Sequence, residues 1–497
     1  MSKIRVTYSG LISLASNMIS VITGLIFVII VTRTLTPEEF GIWGLIGGLL
    51  AYAVIINPIV CYWSTREIAR GEKSGKTAVT TNSMLSLLGV TIYVIISYLV
   101  ALQSNFDASI ILFAAILIPV TFLNDILIAI IRGWKPHSLN YGLLAFEISK
   151  ILFVIIFVYF WNLGVLGAII AVFASYLPSI TILLIYNIPK IKDEFNFEYV
   201  KKWLKLSWIP TYRQLPNTLL LTDVVIFSAI TGSVIGVAYF TAARSIGYLV
   251  DHTRSIAQAM YPKILEGGKQ EYLQENLMLF FFLSFPLVAL SIIFSKAGLF
   301  LLNPIYVIAS PVVIFLSLKS FLTALNSNFF LGLQGLEKVD VDKKSTFKDY
   351  AKSKIMLHPT FQLIRSGIYF ASLAIIFSLG TNNKFEIDLI SLWALIGLLL
   401  ELPLTLYMIH MVKKEFTLNL EWSSTIKYFL ACLGTFGLTY LLMQEFLVFH
   451  EEIFIFLPNL LPFVIFGVVL YFGITIIIDK RAKILAKKIL SELNSKI

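Results

Sequence analysis

Cysteine and histidine are too sparse in this sequence to organise anything. The two cysteines, Cys61 and Cys432, both lie in apolar stretches, so neither a disulfide framework nor a zinc-ligand spacing can be drawn. The five histidines (His137, His252, His358, His410 and His450) are scattered without ligand-like spacing, so no metal and no cofactor is expected. Charge is scarce as well. Only 14% of residues are charged, against about 25% in a soluble domain, and 58% are hydrophobic. Such a chain cannot cover itself with polar surface, and lipid is expected to be its solvent. A cleavable signal is also missing. Residues 1–10 carry Lys3 and Arg5, but the following apolar run is too long for a signal segment and has no small-residue cleavage site.

What the sequence has is hydrophobic runs. Crossing the hydrocarbon core takes about 20 mostly apolar residues. Fourteen runs qualify: 9–31, 40–62, 79–102, 108–131, 142–161, 163–186, 204–230, 234–260, 274–295, 305–331, 355–379, 387–411, 425–444 and 452–478. The seventh and eighth are the least apolar. The expected class is an all-α polytopic membrane protein.

Loop charge predicts the orientation. With Met1 inside, 28 Lys and Arg fall on the inner side, against Arg33, Lys296 and Lys384 outside. Both termini are therefore expected in the cytoplasm of a plasma-membrane protein. This topology accounts for the net charge of +10, and no nucleic-acid partner is needed to explain it. The loop 187–203 separates six spans from the next six. Six is even, so the halves enter the membrane in the same direction, as parallel repeats do. The expected domains are a first lobe at 1–190, a second at 191–420, and two further helices with a basic tail at 421–497. Gly41 and Gly236 hold matching places at the starts of spans two and eight.

Three stretches carry a resemblance. After the first span comes Arg33-Thr-Leu-Thr-Pro-Glu-Glu-Phe-Gly-Ile-Trp. Spans seven and eight carry Asp223-Val-Val-Ile-Phe-Ser and Gly236-Val-Ala-Tyr-Phe-Thr-Ala-Ala-Arg244. Span ten ends in Leu333-Gln-Gly-Leu-Glu-Lys. In this order, with fourteen spans, the chain resembles the polysaccharide exporters. These are Wzx-type flippases for lipid-linked oligosaccharides within the multidrug/oligosaccharidyl-lipid/polysaccharide superfamily. Tyr239 stands one place later than the usual aromatic, and the loop after span ten carries a long Lys-rich insert through about Lys354. The resemblance implies two six-helix lobes around a central cavity. It also implies a substrate with a polyprenyl tail, a phosphate or pyrophosphate bridge and a sugar head. Membrane lipid and glycan-assembly proteins are the further partners it implies.

The sugar head cannot cross hydrocarbon unaided, because buried charge and unpaired hydroxyls are costly there. Ionisable residues inside spans are thus the candidates for holding it. Lys319 ranks first as the anion ligand, followed by Arg213, Arg244 and Arg365, with Arg254 completing the set. Asp223, Asp251 and Glu401 are candidates for ion coupling or gating; Asp125 and Glu147 are the other acids within spans. Helical spacing puts Arg244, Tyr248, Asp251, Ser255 and Gln258 on one face of span eight, and Arg213 and Asn217 on one face of span seven. Two pairs, Glu147 with Lys150 and Asp251 with Arg254, have the i, i+3 spacing of mutually neutralising neighbours and read equally well as structural glue. Arg33 reads as a loop brace. Pro210 and Pro216 are expected to kink span seven.

Two other readings compete. A multidrug/cation antiporter of the same superfamily would usually have twelve spans and an acidic cleft. A glycan polymerase or ligase would need a sizeable outer loop and catalytic groups. The outer loops here are short, and no paired-carboxylate, metal or nucleophile motif is present, so an enzyme is not expected. The basic stretch 338–354 could contact anionic headgroups or a partner protein.

Overall fold

A computed structural model describes residues 6–102, 108–254, 270–336, 349, 353–380, 386–416 and 422–484. Lys3, Arg5, Ser255, Gln258, Lys384 and nearly all of the 338–354 insert lie outside the described residues. So does the tail beyond residue 484.

All secondary structure among the described residues is helical. The first stretch runs through α1 (Val6–Thr34), α2 (Pro37–Ala53), α3 (Pro58–Ala69), α4 (Gly75–Leu102), α5 (Ala108–Phe113) and α6 (Leu117–Trp134). It continues with α7 (Leu139–Val154), α8 (Gly164–Ile191), α9 (Phe197–Lys205), α10 (Trp208–Leu221), α11 (Asp223–Thr231) and α12 (Ile235–Gly247). After these come α13 (Gln270–Ile293), α14 (Ser295–Leu302), α15 (Ser310–Gly335) and α16 (Lys354–Gly380). The last are α17 (Glu386–Leu399), α18 (Glu401–Glu415), α19 (Trp422–Phe446) and α20 (Ile453–Ile478).

Eleven of the described helices are long and apolar enough to cross a membrane, and twelve if the bent pair α10–α11 is one span. These twelve coincide with expected spans two to seven and nine to fourteen. This is an all-α, multi-pass membrane protein.

Spans two and seven are not continuous rods. Span two is expected at 40–62, but the helix stops at Ala53, tightens through Val54–Ile56 and restarts at Pro58. Proline cannot donate the helical hydrogen bond there. Span seven bends by 44° between α10 and α11. The bend falls at Thr222 rather than at Pro210 or Pro216, which both sit inside α10. Thr222 Oγ1 donates to the Leu219 carbonyl at 2.8 Å, and the Asp223 carboxylate accepts from the Val224 N–H at 3.0 Å. These local bonds end one helix and open the next.

The chain forms two compact units. The first comprises residues 1–241 and 362–386. Inside it α7 packs on α1 and α8, and α6 on α3, α4 and α8. Val60, Ile68, Ala78, Ile126, Ala129, Ile130 and Trp203 form one buried cluster. Lipid tails are as apolar as these side chains, so close fit and hydrogen bonds must also hold the helices together. Asn187 Nδ2 donates to the Leu127 carbonyl at 2.9 Å, and Ser179 Oγ to Asn124 Oδ1 at 2.9 Å. Close fit comes from α2, where a β-carbon at Gly41 would overlap the Val234 carbonyl. At Gly44 it would overlap the Thr241 hydroxyl, and at Gly48 the Val224 side chain.

The second unit comprises residues 242–361 and 387–497. Here α13 packs on α15 and α19, α15 on α18, and α19 on α20. Leu273, Leu277, Phe280, Ala324, Leu333, Met408 and Val412 lie in its buried core. At one end Asp479 accepts from Ser424 Oγ at 2.9 Å and from Tyr428 Oη at 2.6 Å, tying α19 to the end of α20.

Candidate functional site

In the first unit the candidate residues lie on α10, α11 and α16. Arg213 of α10 is half-buried, its guanidinium 5.9 Å from the Tyr62 ring centre. A cation over an aromatic face in this way is held without a formal charge partner. Asp223, at the start of α11, is buried and accepts from Tyr369 Oη of α16 at 2.9 Å. Arg365 lies one turn before Tyr369 on the same helix and is also buried.

In the second unit Asp251 pairs with Arg254 at 3.1 Å and accepts from the Ser320 hydroxyl of α15. The expected i, i+3 pair therefore forms, and it also reaches a second helix. Lys319, the neighbour of Ser320, is buried, and a β-carbon at Gly397 of α17 would come within 3.0 Å of its Nζ. Glu401, at the start of α18, is fully buried and accepts from Asn326 Nδ2 at 2.9 Å. The Arg244 guanidinium lies 5.1 Å from the Tyr248 ring. Of the polar stripe expected on span eight, Arg244, Tyr248 and Asp251 lie within the described residues. Its helix tightens to three residues per turn over Tyr248–Thr253. Tyr248 and Asp251 thus eclipse one another and stay on one face.

In the first unit Asp223 is bonded to the helix that carries Arg365, while Arg213 lies on Tyr62. In the second, Asp251, Arg254, Ser320, Lys319, Asn326 and Glu401 form a polar tract through α15 and the elements packed on it. Buried charge inside a span is costly and is retained only with partners such as these.

Sequence reasoning missed the neutral partners of two acids it had named. Asp125 accepts from Asn57 Nδ2 at 2.6 Å, and Asn82 Nδ2 donates to Asn57 Oδ1 at 2.9 Å. Glu147, expected to pair with Lys150, does so at 2.6 Å and also accepts from Ser20 at 2.7 Å and from Thr23. The stretch around Arg33 also has a structural explanation. Thr36 caps α2, with its hydroxyl accepting from the Glu39 N–H at 3.2 Å while Glu39 accepts from the Thr36 N–H at 2.9 Å. Thr-x-x-Glu before an apolar run is itself a helix-start signal, so this could have been found in the sequence. Pro37 occupies the first helical position and Phe40 is buried.

A family model described as "Polysaccharide biosynthesis protein" matches residues 6–267. The chain belongs to the polysaccharide biosynthesis protein family. The matched stretch contains Arg213, Asp223, Arg244, Asp251 and Arg254, whereas Lys319, Arg365 and Glu401 follow it. This family member has the fold of the superfamily its motifs suggest. It is similar to a structure titled "Lipid II flippase MurJ, inward closed conformation", with a TM-score of 0.63 and 15% identity, over 94% of this chain and 98% of that one. It is also similar to an inward-facing multidrug resistance MATE family transporter of the MOP superfamily. That match has a TM-score of 0.59 and 17% identity, over 80% of this chain and 96% of the other. An outward-facing MATE structure matches with a TM-score of 0.53 and 16% identity, over 82% and 95%. Among curated proteins, none matches.

Proposed function

We propose that this protein is a flippase that moves a polyprenyl-(pyro)phosphate-linked oligosaccharide from the cytoplasmic to the outer leaflet. The observation that carries the reading is membership of the polysaccharide biosynthesis family in a chain folded, along nearly its whole length, like a lipid II flippase. Basic residues buried within its spans, Lys319 and Arg365 among them, support it.

In this mechanism the polyprenyl tail stays in lipid while the charged bridge and sugars travel through the protein by alternating access. Lys319, Arg213, Arg244, Arg365 and Arg254 neutralise the bridge. Hydroxyls and amides such as Ser320 and Asn326 substitute for water around the sugars. Asp223, Asp251 and Glu401, each held by a neutral hydroxyl or amide, serve ion coupling or gating. The protein acts as a transporter, not as an enzyme, with glycan-assembly proteins as suppliers and consumers of the cargo.

The test is a proteoliposome assay with a fluorescent polyprenyl-pyrophosphate sugar, with and without an imposed ion gradient. Wild type should flip the lipid. Lys319→Gln and Arg213→Gln should reduce the rate at least tenfold while remaining folded, since losing one charge-assisted bond of about 1.5–3 kcal/mol is worth that much. Full activity in both variants would remove the anion site.

The MATE neighbours favour a second reading, a multidrug/cation antiporter. A cation-binding tract should carry excess acid, whereas basic residues outnumber acidic ones among the candidates here. Transport of cationic dyes with no flipping of the glycolipid would establish the second reading.

A further inference from the structure

We propose that α9 is a lipid-surface helix that binds acidic phospholipid headgroups through Lys201 and Lys205 while inserting Phe197 and Leu204 among the acyl chains. The position of α9 already restricts what can touch it. It follows α8, whose apolar span ends at Ile191, and precedes α10, which opens the next span at Trp208. Both neighbouring spans bring the chain to one boundary of the membrane, and α9 is the short helix between them.

One side of α9 is taken up by the protein. Val200 and Trp203 are buried, and Trp203 belongs to the core cluster with Val60, Ile68 and Ala78. Glu67 of α3, itself buried, accepts from Lys202 Nζ at 2.8 Å and from Trp203 Nε1 at 3.1 Å. Before the helix, the Asn196 N–H donates to Thr77 Oγ1 of α4 at 2.9 Å, and Asn196 Oδ1 caps α9 by accepting from the Glu198 N–H at 2.9 Å. The helix is thus fixed in orientation by α3 and α4.

The rest of its surface has an order that water alone does not explain. At about 100° per residue, Phe197 and Leu204 fall side by side, next to the buried arc. They are 57% and 50% exposed. Lys201 and Lys205 come next around the helix, both exposed, and Glu198 and Lys202 beyond them. Buried residues, exposed large apolar residues and lysines therefore follow in sequence around the cylinder. That is the arrangement of a helix lying in the plane of the interface, with its apolar edge in the acyl boundary and its lysines at headgroup level. Phe195 and Trp208, also exposed, extend the apolar edge at both ends. Glu198 bonds Lys201 at 3.1 Å, but an exposed pair of this kind is weak and does not cancel the site. Lys202 is taken by Glu67, which leaves Lys201 and Lys205 against Glu198 on the exposed side, so acidic rather than zwitterionic headgroups are the complementary ligand.

The experiment uses the full chain in vesicles and measures no transport, so it stands apart from the flippase reading. In a background carrying Cys61→Ser and Cys432→Ser, a bimane label is placed on Leu204→Cys, or on Phe197→Cys should the first variant fold poorly. Quenching is compared between vesicles whose bromine is on phosphatidylglycerol chains and vesicles of equal composition whose bromine is on phosphatidylcholine chains. A label on Ile477→Cys, 84% exposed on α20, serves as reference. The label on α9 should be quenched by lipid bromine, and preferentially by the acidic lipid relative to the reference. Lys201→Gln and Lys205→Gln should each reduce that preference by about fivefold, and raised salt should reduce it too. Equal quenching by the two lipids would overturn the acidic-headgroup site. Quenching by aqueous iodide but not by lipid bromine would overturn the lipid-surface helix altogether.

Discussion

At the scale of single residues, several buried or half-buried acids in this protein accept from neutral donors. Asp125 accepts from Asn57, Asp223 from Tyr369, Glu401 from Asn326, and Asp479 from Ser424 and Tyr428. Removing such a donor leaves a buried acceptor unsatisfied. Asn57→Ala should lower stability by about 1–3 kcal/mol, read as a fall in unfolding temperature in detergent. A replacement that leaves the unfolding temperature unchanged would mean that Asn57 does not support Asp125. Asp479 lies just past the last span and lends itself to a pH test. Burial alone would raise its pKa. Hydrogen bonds from Tyr428, the Ala482 N–H and Ser424, together with the nearby Lys427 charge, outweigh burial and hold it below the ordinary 3.8. A depressed carboxylate stabilises the fold above its unfolded-state pKa and loses that contribution as pH falls through the folded value. The stability gap between wild type and Asp479→Asn should therefore be constant at neutral pH and shrink only as the pH drops below about 4. These partners are hard to read in sequence. Tyr369 is 146 residues from Asp223, and Asn326 is 75 from Glu401. A hydroxyl or amide also leaves no charge signal to search for, whereas Glu147 and Lys150 were legible because both are charged and one turn apart.

At the scale of elements, α2 supplies the sharpest contrast. Gly41 and Gly44 meet Val234 and Thr241 with no room for a side chain, whereas a β-carbon at Gly47 meets nothing within 4 Å. Gly44→Val should therefore cost about 1–3 kcal/mol through overpacking. Gly47→Ala, on the same helix, should be neutral or gain about 0.5–1 kcal/mol through its better helix propensity. Thermal unfolding of the two variants side by side checks this, and equal losses would contradict the contact. The turn between α7 and α8 shows the same economy of space. Gly164 has φ of 57°, and a β-carbon there would overlap Glu39. The positions of twelve of the fourteen expected spans were legible because apolar runs of membrane width admit few alternatives; spans one and eight are not among the described helices that qualify as spans. The interruptions at Asn57–Pro58 and at Thr222 were not. A proline inside an apolar run is tolerated in membranes, and local side-chain bonds, not composition, decide where the backbone yields.

At the scale of the whole molecule, topology is the testable property. The fourteen spans expected from the sequence would put both ends of the chain on one side, and the lysine-rich loops would put that side in the cytoplasm. Epitope tags at the two termini should both resist protease added outside intact cells and both be cleaved after the cells are opened. Opposite accessibilities would require an odd count. The fold class and the exporter resemblance were legible from span number, loop charge and motif order. The stretch around Arg33 was legible as a signature, but not as what it builds, a capped helix start leading into Gly41.

The amide network around Asp125 also bears on how the protein is made. Asn57 and Asn82 precede Asp125 in the chain, and Ser179, the partner of Asn124, follows it. During synthesis, the helix carrying Asp125 leaves the translocation channel when its donor Asn57, and Asn82 which bonds Asn57, are already in the bilayer, so its carboxylate need never face hydrocarbon alone. Asn124 meets its hydroxyl only when α8 emerges. The order of translation thus matches the order in which these polar groups find shelter, and a circularly permuted chain that begins at α6 would lose that protection during its birth.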